Sequence, residues 1–311
     1  MDKIICIAGP TASGKTALAV ELAKRFDGEV VSCDSMQVYR RMDIGTAKPT
    51  PEEMQGVPHH MLSVAEPWED FSVSRYCALA APIVDGILAR GRTAIIAGGT
   101  GLYMNALIRG TDFAPCPATG RREELEALAS REGIEAIWRQ LREIDPETAA
   151  RLPLSDKKRI LRAMEVYLET GETITAHNRR TQAIPPRYDP LWLGLEDLNR
   201  QELYARIDRR VEDMVARGLL GEIRELLDTG VPKTATAMQA IGYKEFIAHL
   251  EGSLSLADAT AQVQRASRRY AKRQLTWFRR NPKLRWLRRT PGMRTEEIVS
   301  LARRVLQESD M

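Results

Sequence analysis

The sequence predicts an α/β protein: a phosphate-loop, doubly wound parallel sheet with a helical insertion domain. Three observations predict it. The chain opens on alternating strand-like and helix-like segments. A G-x-x-x-x-G-K-[ST] loop separates the first strand from the first helix. A charged, strand-free stretch then precedes a return to strand character.

Lys3–Ala8 (K-I-I-C-I-A) is a short, apolar, β-branched run stopped by Gly9-Pro10, as expected of a buried parallel strand. From Thr16 to Phe26, Leu18, Leu22 and Phe26 recur every four residues and Gly28 follows as a stop signal, which predicts the crossover helix. Glu29–Cys33 supplies a second strand and Ser72–Arg90 a long helix with Gly91 behind it. Thr93–Ala97 is a third strand, running into Gly98-Gly99-Thr100-Gly101. After Pro115 and Pro117 the chain turns charged and helical over Gly120–Leu152, and Ser155–Glu169 forms another helix ahead of Gly171. Pro185-Pro186 closes that stretch, and Leu191–Leu195 (L-W-L-G-L) is strand-like again. The predicted division is a core of residues 1–118 and 185–311 with a helical insertion at 119–184. Within the returning core, Asn199–Arg217, Leu219–Leu227 and Leu256–Phe278 are predicted helices and Leu284–Leu287 a short final strand.

Length and composition narrow the function classes. A chain of 311 residues has room for about two domains of roughly 150 residues each. Its 43% apolar and 28% charged residues are those of a globular protein, which excludes wholesale disorder and collagen-like chains. The longest apolar runs, Ile4–Ala8 and Ala94–Ala97, fall far short of the roughly 18–20 residues that span a bilayer, so no membrane partner is expected. The chain passes from Met1-Asp2-Lys3 directly into the first strand, which leaves no room for a leader and makes the cytoplasm the expected compartment. Cys6, Cys33, Cys77 and Cys116 stand alone, as packing residues rather than a zinc or disulfide framework. The net charge of +4 hides an uneven distribution: Arg265 to Arg289 holds eleven Lys or Arg and no acid. Tyr270, Trp277, Phe278 and Trp286 are interleaved with them, a pattern that points to a polyanion surface, most simply RNA or DNA.

The loop Gly9-Pro10-Thr11-Ala12-Ser13-Gly14-Lys15-Thr16 is of the nucleotide-binding, ATP-binding type. Its backbone N–H groups and the helix start curl around phosphate oxygens, Lys15 adds a point charge, and the Thr16 hydroxyl is suited to ligating Mg²⁺. An NTPase normally adds a strand ending in an Asp for that metal. Here Thr93–Ala97 ends in glycines, Asp85 lies inside a helix pattern, and Glu196-Asp197 follows a late strand with no supporting motif. A diphosphate that is not a nucleotide is therefore open as the ligand. Asp34 and Thr100 leave the carboxyl ends of neighbouring strands, in the crevice that the phosphate loop shares. Asp34 suits a general base or metal partner, Thr100 a hydrogen bond to a leaving oxygen, and the Gln37 amide a bidentate pairing with adenine. Each has a structural alternative: a capping Asp, a loop Thr, a solvent-facing Gln.

Seven ordered motifs carry a resemblance. G-P-T-A-S-G-K-T, S-C-D-S-M-Q-V-Y, D-I-G-T-A-K-P (Asp43–Pro49), G-V-P-H-H (Gly56–His60), G-G-T-G-L-Y (Gly98–Tyr103), Q-A-I-G-Y-K-E (Gln239–Glu245) and R-Y-A-K-R-Q-L-T-W-F-R (Arg269–Arg279) together resemble the tRNA dimethylallyltransferase family over nearly the whole chain. The resemblance implies transfer of a dimethylallyl group from dimethylallyl diphosphate to N6 of the adenosine 3′-adjacent to the anticodon of tRNA. It implies that Gly9–Thr16 cradles the diphosphate with Thr16 on Mg²⁺, that Asp34 bonds to or deprotonates the attacking amine, and that Thr100 steadies the bridging oxygen. Ser35, Met36 and Gln37 would frame the target base. Arg122, Lys158, Arg159 and Arg162 fall where the family touches tRNA, and Arg268, Arg269, Lys272, Arg273 and Arg279 would position the anticodon stem-loop. A monomer is the expected state, and the absence of a Cys pair near the end of the chain looks bacterial in type.

Other features are assigned to structure. His59-His60 is read as a support motif rather than zinc ligands, the eleven methionines as packing, and Glu222-Ile223-Arg224-Glu225 as a solvated helix face. Three rival functions remain on the residues alone. Adenylate dimethylallyl transfer is disfavoured by the basic block, a nucleotide kinase by the missing acid-ended strand, and a non-enzymatic RNA-binding module by the grouping of Asp34, Thr100 and the phosphate loop.

Overall fold

The computed structural model describes residues 4–114 and 119–309. Cys116, the Pro115 and Pro117 boundary, Lys3 and the chain ends lie outside the described residues.

In chain order the elements are β1 (Ile4–Ala8), α1 (Lys15–Arg25), β2 (Gly28–Ser32), α2 (Pro51–Met54), β3 (His59–His60), α3 (Val73–Ala89), β4 (Thr93–Gly98) and α4 (Gly101–Arg109). Next come α5 (Arg121–Glu132), α6 (Ile134–Ile144), α7 (Pro146–Arg151), α8 (Lys157–Thr170) and α9 (Ile174–Ala183). The chain continues through β5 (Leu191–Asp197), α10 (Arg200–Ala216), α11 (Leu219–Asp228), α12 (Tyr243–Leu250), α13 (Leu256–Phe278), β6 (Arg285–Arg289) and α14 (Thr295–Gln307). Two compact units result, one of residues 1–109 and 187–311, the other Gly110–Pro186.

The first unit is built on a six-stranded sheet in the order β3-β2-β4-β1-β5-β6, every pairing parallel. Each strand expected from the sequence is present, and β3 is an addition too short to leave a periodic signal. β1 is buried along its whole length, and its side chains alternate between two cores. Ile5 and Ile7 pack with α1 and α14 on one face, while Ile4, Cys6 and Ala8 pack with α3, α4 and α11 to α13 on the other. α1 shows Leu18, Ala19, Leu22 and Ala23 to the sheet, a stripe recurring at three- and four-residue spacing. The chain leaves this unit after Arg109 and re-enters at Arg187, and the two points are stitched together. The Arg187 N–H donates to the Arg109 carbonyl at 3.3 Å and the Tyr188 N–H to that of Ile108 at 3.1 Å.

The second unit is all helical among its described residues. The charged stretch expected over Gly120–Leu152 resolves into α5, α6 and α7, divided at Gly133 and at Pro146. Leu125, Ile137, Leu141, Ile160 and Met164 form its core. The buried Asp145 carboxylate accepts from the Thr148 N–H, the Thr175 N–H and the Thr175 hydroxyl, at 3.0, 3.0 and 2.6 Å, joining α7 to α9. By compactness this unit runs from Gly110 to Pro186, against 119–184 expected from composition.

Among the described residues no helix is long and apolar enough to cross a membrane. Cys6 and Cys33 are buried and unpaired, as packing residues should be.

At the amino ends of the strands, Glu29 of β2 is buried and gathers three partners. Arg90 and Arg92 reach it at 2.8 and 2.7 Å, and His60 Nε2 lies 2.6 Å away. Burial opposes ionisation of this carboxyl, but the hydrogen bonds from Arg90, His60 and Arg92 outweigh it and hold its pKa at about 2, below the ordinary 4.5. Because the folded value is depressed, the stabilisation is fully present above the unfolded value and drains as pH falls from about 4.5 towards 2. Glu29→Gln is expected to cost on the order of 2–3 kcal/mol at pH 7 and to flatten the acid limb of a stability profile measured by urea denaturation. An unchanged acid limb would remove Glu29 as its source.

Candidate active site at the carboxyl ends of the strands

The loops leaving β1, β2 and β4 meet above the sheet in the first unit, where a cavity of about 650 Å³ opens. Thr11–Ala17 form one wall, Asp34–Gln37 a second, Gly45–Pro49 a third; α10, the segment 239–242 and α13 complete it.

The phosphate loop runs from β1 into α1 and holds Ala12 at φ +61°, left-handed backbone that costs a non-glycine residue energy. Two side chains grip it from outside. Arg206 Nε donates to the Ala12 carbonyl at 3.1 Å, and Gln274 Oε1 accepts from the Thr11 N–H at 2.8 Å. Arg206 is itself anchored by Asp197, 2.6 Å away and almost fully buried at the end of β5. Asp197 is thus spent on the loop's scaffold, and Glu196 pairs with Arg279 at 2.6 Å. Neither late-strand acid stands in the place of an NTPase metal ligand.

Lys15 folds back to donate to the Pro10 carbonyl at 2.7 Å. Burial, reinforced by repulsion from Arg210 and opposed by Asp34, lowers its pKa from 10.5 to about 8. Arg210, on α10, also lines the cavity and has its pKa lowered by desolvation against the pull of Glu53. Neither Lys15 nor Arg210 has an ion-pair partner among the described residues, and no acid lies in the first turn of α1. This wall therefore carries two cations held without direct ion pairs beside a helix start, an arrangement suited to an anion with several oxygens.

Asp34 lies opposite. Its Oδ1 accepts from the Met36 N–H at 2.8 Å and the Gln37 N–H at 3.4 Å, closing an Asx turn, while Oδ2 makes no hydrogen bond among the described residues. The capping expectation is met by one oxygen, and Asp34 also lines the cavity. Thr100 stands behind this turn, off the cavity wall. Its hydroxyl accepts from the Ser35 N–H at 3.1 Å, and its own N–H donates to the Cys33 carbonyl at 3.2 Å. Gln37 lines the cavity but its amide is engaged internally. Its Oε1 accepts from the Ser32 hydroxyl at 3.0 Å, and its Nε2 donates to the Thr46 and Ala47 carbonyls at 3.3 and 3.1 Å. Pairing that amide with an adenine requires those bonds to be given up.

The 43–49 loop is held from the far side as well. The Glu222 carboxylate accepts from the N–H groups of Asp43, Ile44 and Gly45 at 2.8, 2.7 and 3.0 Å, and from the Tyr243 hydroxyl at 2.6 Å. Gly45 leaves no room for a Cβ against the Tyr243 ring. This corrects the expectation of a solvated face: Glu222 is an anchor and Ile223 is buried, while Arg224 and Glu225 are exposed as expected. Tertiary contact, invisible to helical periodicity, decides the difference. His59, whose Nδ1–H donates to the Val57 carbonyl at 2.8 Å, lines the cavity as support, and His60 is committed to Glu29.

The basic residues of α13 sort into two groups. Arg268 is paired with Asp208, 2.6 Å from Oδ2, and lies over the Tyr204 ring; Arg279 is paired with Glu196. Arg269, Lys272 and Arg273 are exposed and form no ion pair among the described residues, and Arg273 also lines the cavity. In the second unit Lys158 is exposed and forms no ion pair among the described residues. Arg122, Arg159 and Arg162 pair with Glu126, Asp156 and Glu165 at 2.8, 3.1 and 2.9 Å. Arg206, Arg210, Glu222 and Gln274 carry no assigned role in the sequence. Gln274 lay inside a recognised motif, whereas Arg206, Arg210 and Glu222 come together with the site only through the fold.

The chain is similar to known proteins along most of its length. Residues 37–281 match the IPP transferase family model, and residues 2–65 match that of isopentenyl transferase. The tRNA dimethylallyltransferase of Caldanaerobacter subterraneus subsp. tengcongensis is 47% identical over 279 residues, 89% of each chain. The crystal structure of a tRNA isopentenylpyrophosphate transferase from Bacillus halodurans superposes with a TM-score of 0.74 at 42% identity, covering 99% of this chain and 96% of that one. A eukaryotic dimethylallyltransferase described as acting on tRNA gives a TM-score of 0.84 at 27% identity, covering 99% of this chain and 80% of that one.

Glu222→Ala would strand three backbone N–H groups and is expected to cost about 2–4 kcal/mol of stability in urea denaturation. Retention of wild-type stability would show that the 43–49 loop is held without it.

Proposed function

The chain belongs to the IPP transferase family, and from that premise we propose that it transfers a dimethylallyl group from dimethylallyl diphosphate to N6 of the adenosine 3′-adjacent to the anticodon in tRNA, releasing diphosphate. The observation that supports this reading most is the sharing of one cavity by the cationic phosphate loop and the Asp34 carboxylate. The first is built to take a leaving diphosphate, the second to take a proton.

In the reaction the allylic C–O bond breaks, the N6–C bond forms, and N6 loses a proton. The loop N–H groups, Lys15 and Arg210 stabilise the charge that develops on the departing diphosphate. The Asp34 Oδ2 accepts the proton of the amine, with Oδ1 held by the Met36 N–H so that the carboxylate keeps its aim. Thr100 acts through Ser35 and the Asp34 turn, and its approach to the bridging oxygen depends on the position the substrate takes. Ser35 and Met36 frame the base, which must leave its stack to enter the cavity.

The Thr16 hydroxyl and the Asp34 carboxylate line the same cavity, an oxygen donor set of the kind that Mg²⁺ takes. Thr16 would be the protein ligand of such an ion, which when bound neutralises diphosphate charge. The exposed Arg269, Lys272 and Arg273 supply phosphate contacts to the anticodon stem-loop, with Lys158 and its neighbours as further contacts on the second unit. On this reading the enzyme works as a monomer and meets its tRNA in the cytoplasm.

The direct test is mass spectrometry of an adenosine-bearing anticodon stem-loop, with AMP in parallel, after incubation with dimethylallyl diphosphate and Mg²⁺. A dimethylallyl mass gain on the RNA alone is expected; a gain on AMP alone, or on neither, would overturn the reading. Asp34→Asn keeps an oxygen for the Asx turn while removing the base. It is expected to lower kcat by roughly 10²–10⁴ with stem-loop affinity and melting temperature little changed, and full activity would take Asp34 out of proton transfer. Lys272→Ala with Arg273→Ala is expected to weaken stem-loop binding and to reduce its log–log salt slope by about 1.5–2. Arg268→Ala, already neutralised by Asp208, should leave the slope nearly unchanged; the reverse ranking would relocate the RNA surface.

A further inference from the structure

We propose that Gln274 is a positioning residue for prenyl transfer: its buried amide ties the phosphate loop to the Gly99–Gly101 loop and so sets the spacing between the diphosphate and the Asp34–Thr100 side of the cavity. The proposal rests on the functional reading above and assigns to α13 a task beyond RNA contact.

β1 and β4 are neighbours, with Ala8 in register with Gly98, so the loops that follow them emerge side by side. No backbone hydrogen bond joins Thr11 to Gly99 among the described residues. Gln274 joins them instead. Its Oε1 accepts from the Thr11 N–H at 2.8 Å, its Nε2 donates to the Gly99 carbonyl at 3.0 Å, and the residue is 5% exposed. One loop offers a donor and the other an acceptor, and only a side chain presenting both answers the pair. The fit is close enough that a Cβ on Gly99 would overlap the Gln274 amide nitrogen, and one on Gly101 would overlap the Trp277 ring. Tyr270, one turn before Gln274, lines the cavity with it, and its hydroxyl is influenced by Thr100 and Gln274. Tyr270, Gln274 and Trp277 lie on one stripe of α13, at i, i+4 and i+7, directed at the catalytic loops. Arg269, Lys272, Arg273 and Arg280 form the adjacent exposed stripe. A shift of α13 on docking RNA would therefore be felt at both loops through the Gln274 amide.

The test uses the full chain and two variants, each checked by thermal melting. Gln274→Leu removes both bonds. It is expected to lower kcat by about 10–100-fold and weaken inorganic pyrophosphate binding in calorimetry at least about fivefold, with stem-loop affinity within about twofold. Gln274→Glu keeps the acceptor for Thr11 but turns a charge on the Gly99 carbonyl. When protonated, its carboxyl again offers one donor and one acceptor, so its activity relative to wild type should rise as pH falls. A folded Gln274→Leu variant with wild-type kcat and pyrophosphate affinity, or a Gln274→Glu ratio that does not change with pH, would overturn the positioning role. If the wild type binds pyrophosphate but modifies no RNA, the functional reading fails, while the difference in pyrophosphate affinity between wild type and variant still decides the role of Gln274.

Discussion

The site is organised around a desolvated positive charge that has no direct ion-pair partner among the described residues. Lys15 donates to the Pro10 carbonyl, and burial lowers its pKa to about 8 in spite of the pull of Asp34 across the cavity. The neighbouring Arg210 and the start of α1 add to the same positive field, so the electrostatics of this wall favour an anion. The anchoring residues around the cavity follow from this constraint. A loop that aims N–H groups inwards has to have its carbonyls held outwards, which Arg206 does at Ala12. The remaining walls are held by partners far along the chain, Glu222 for the 43–49 loop and Gln274 for the loops after β1 and β4.

Legibility in the sequence followed contact range. β1, α1 and the phosphate loop were readable because everything that specifies them lies within about twenty consecutive residues: an apolar run, two glycines and a four-residue apolar stripe. Asp34 and Thr100 were readable as strand-end positions, since parallel strands deliver their carboxyl ends to one crevice. What escaped was set by partners far along the chain. Glu222 looks like any charged helix residue until the 43–49 loop is laid over it, and Gln37 looks free to pair with a base until its amide is found on Thr46 and Ala47. β3 is two residues long and owes its place to pairing with β2.

Charge counting along the sequence does not separate paired cations from free ones. The block of eleven cations between Arg265 and Arg289 is uniform in sequence, yet Arg268 and Arg279 face acids brought by β5 and α10, so they contribute packing more than field. Among the described residues Arg265, Arg269, Lys272, Arg273, Arg280 and Arg285 are exposed and without an ion pair, and the first four of them share α13 with the residues that touch the loops after β1 and β4.

The hydrogen-bonded stitch between Ile108-Arg109 and Arg187-Tyr188 has a consequence for the chain between them. The first unit is already closed at its point of departure, so the segment between Arg109 and Arg187 leaves and re-enters it at one place and builds its own core without interrupting the sheet. A change in the length or helix content of that excursion leaves the hydrogen bonds that close the sheet unit in place.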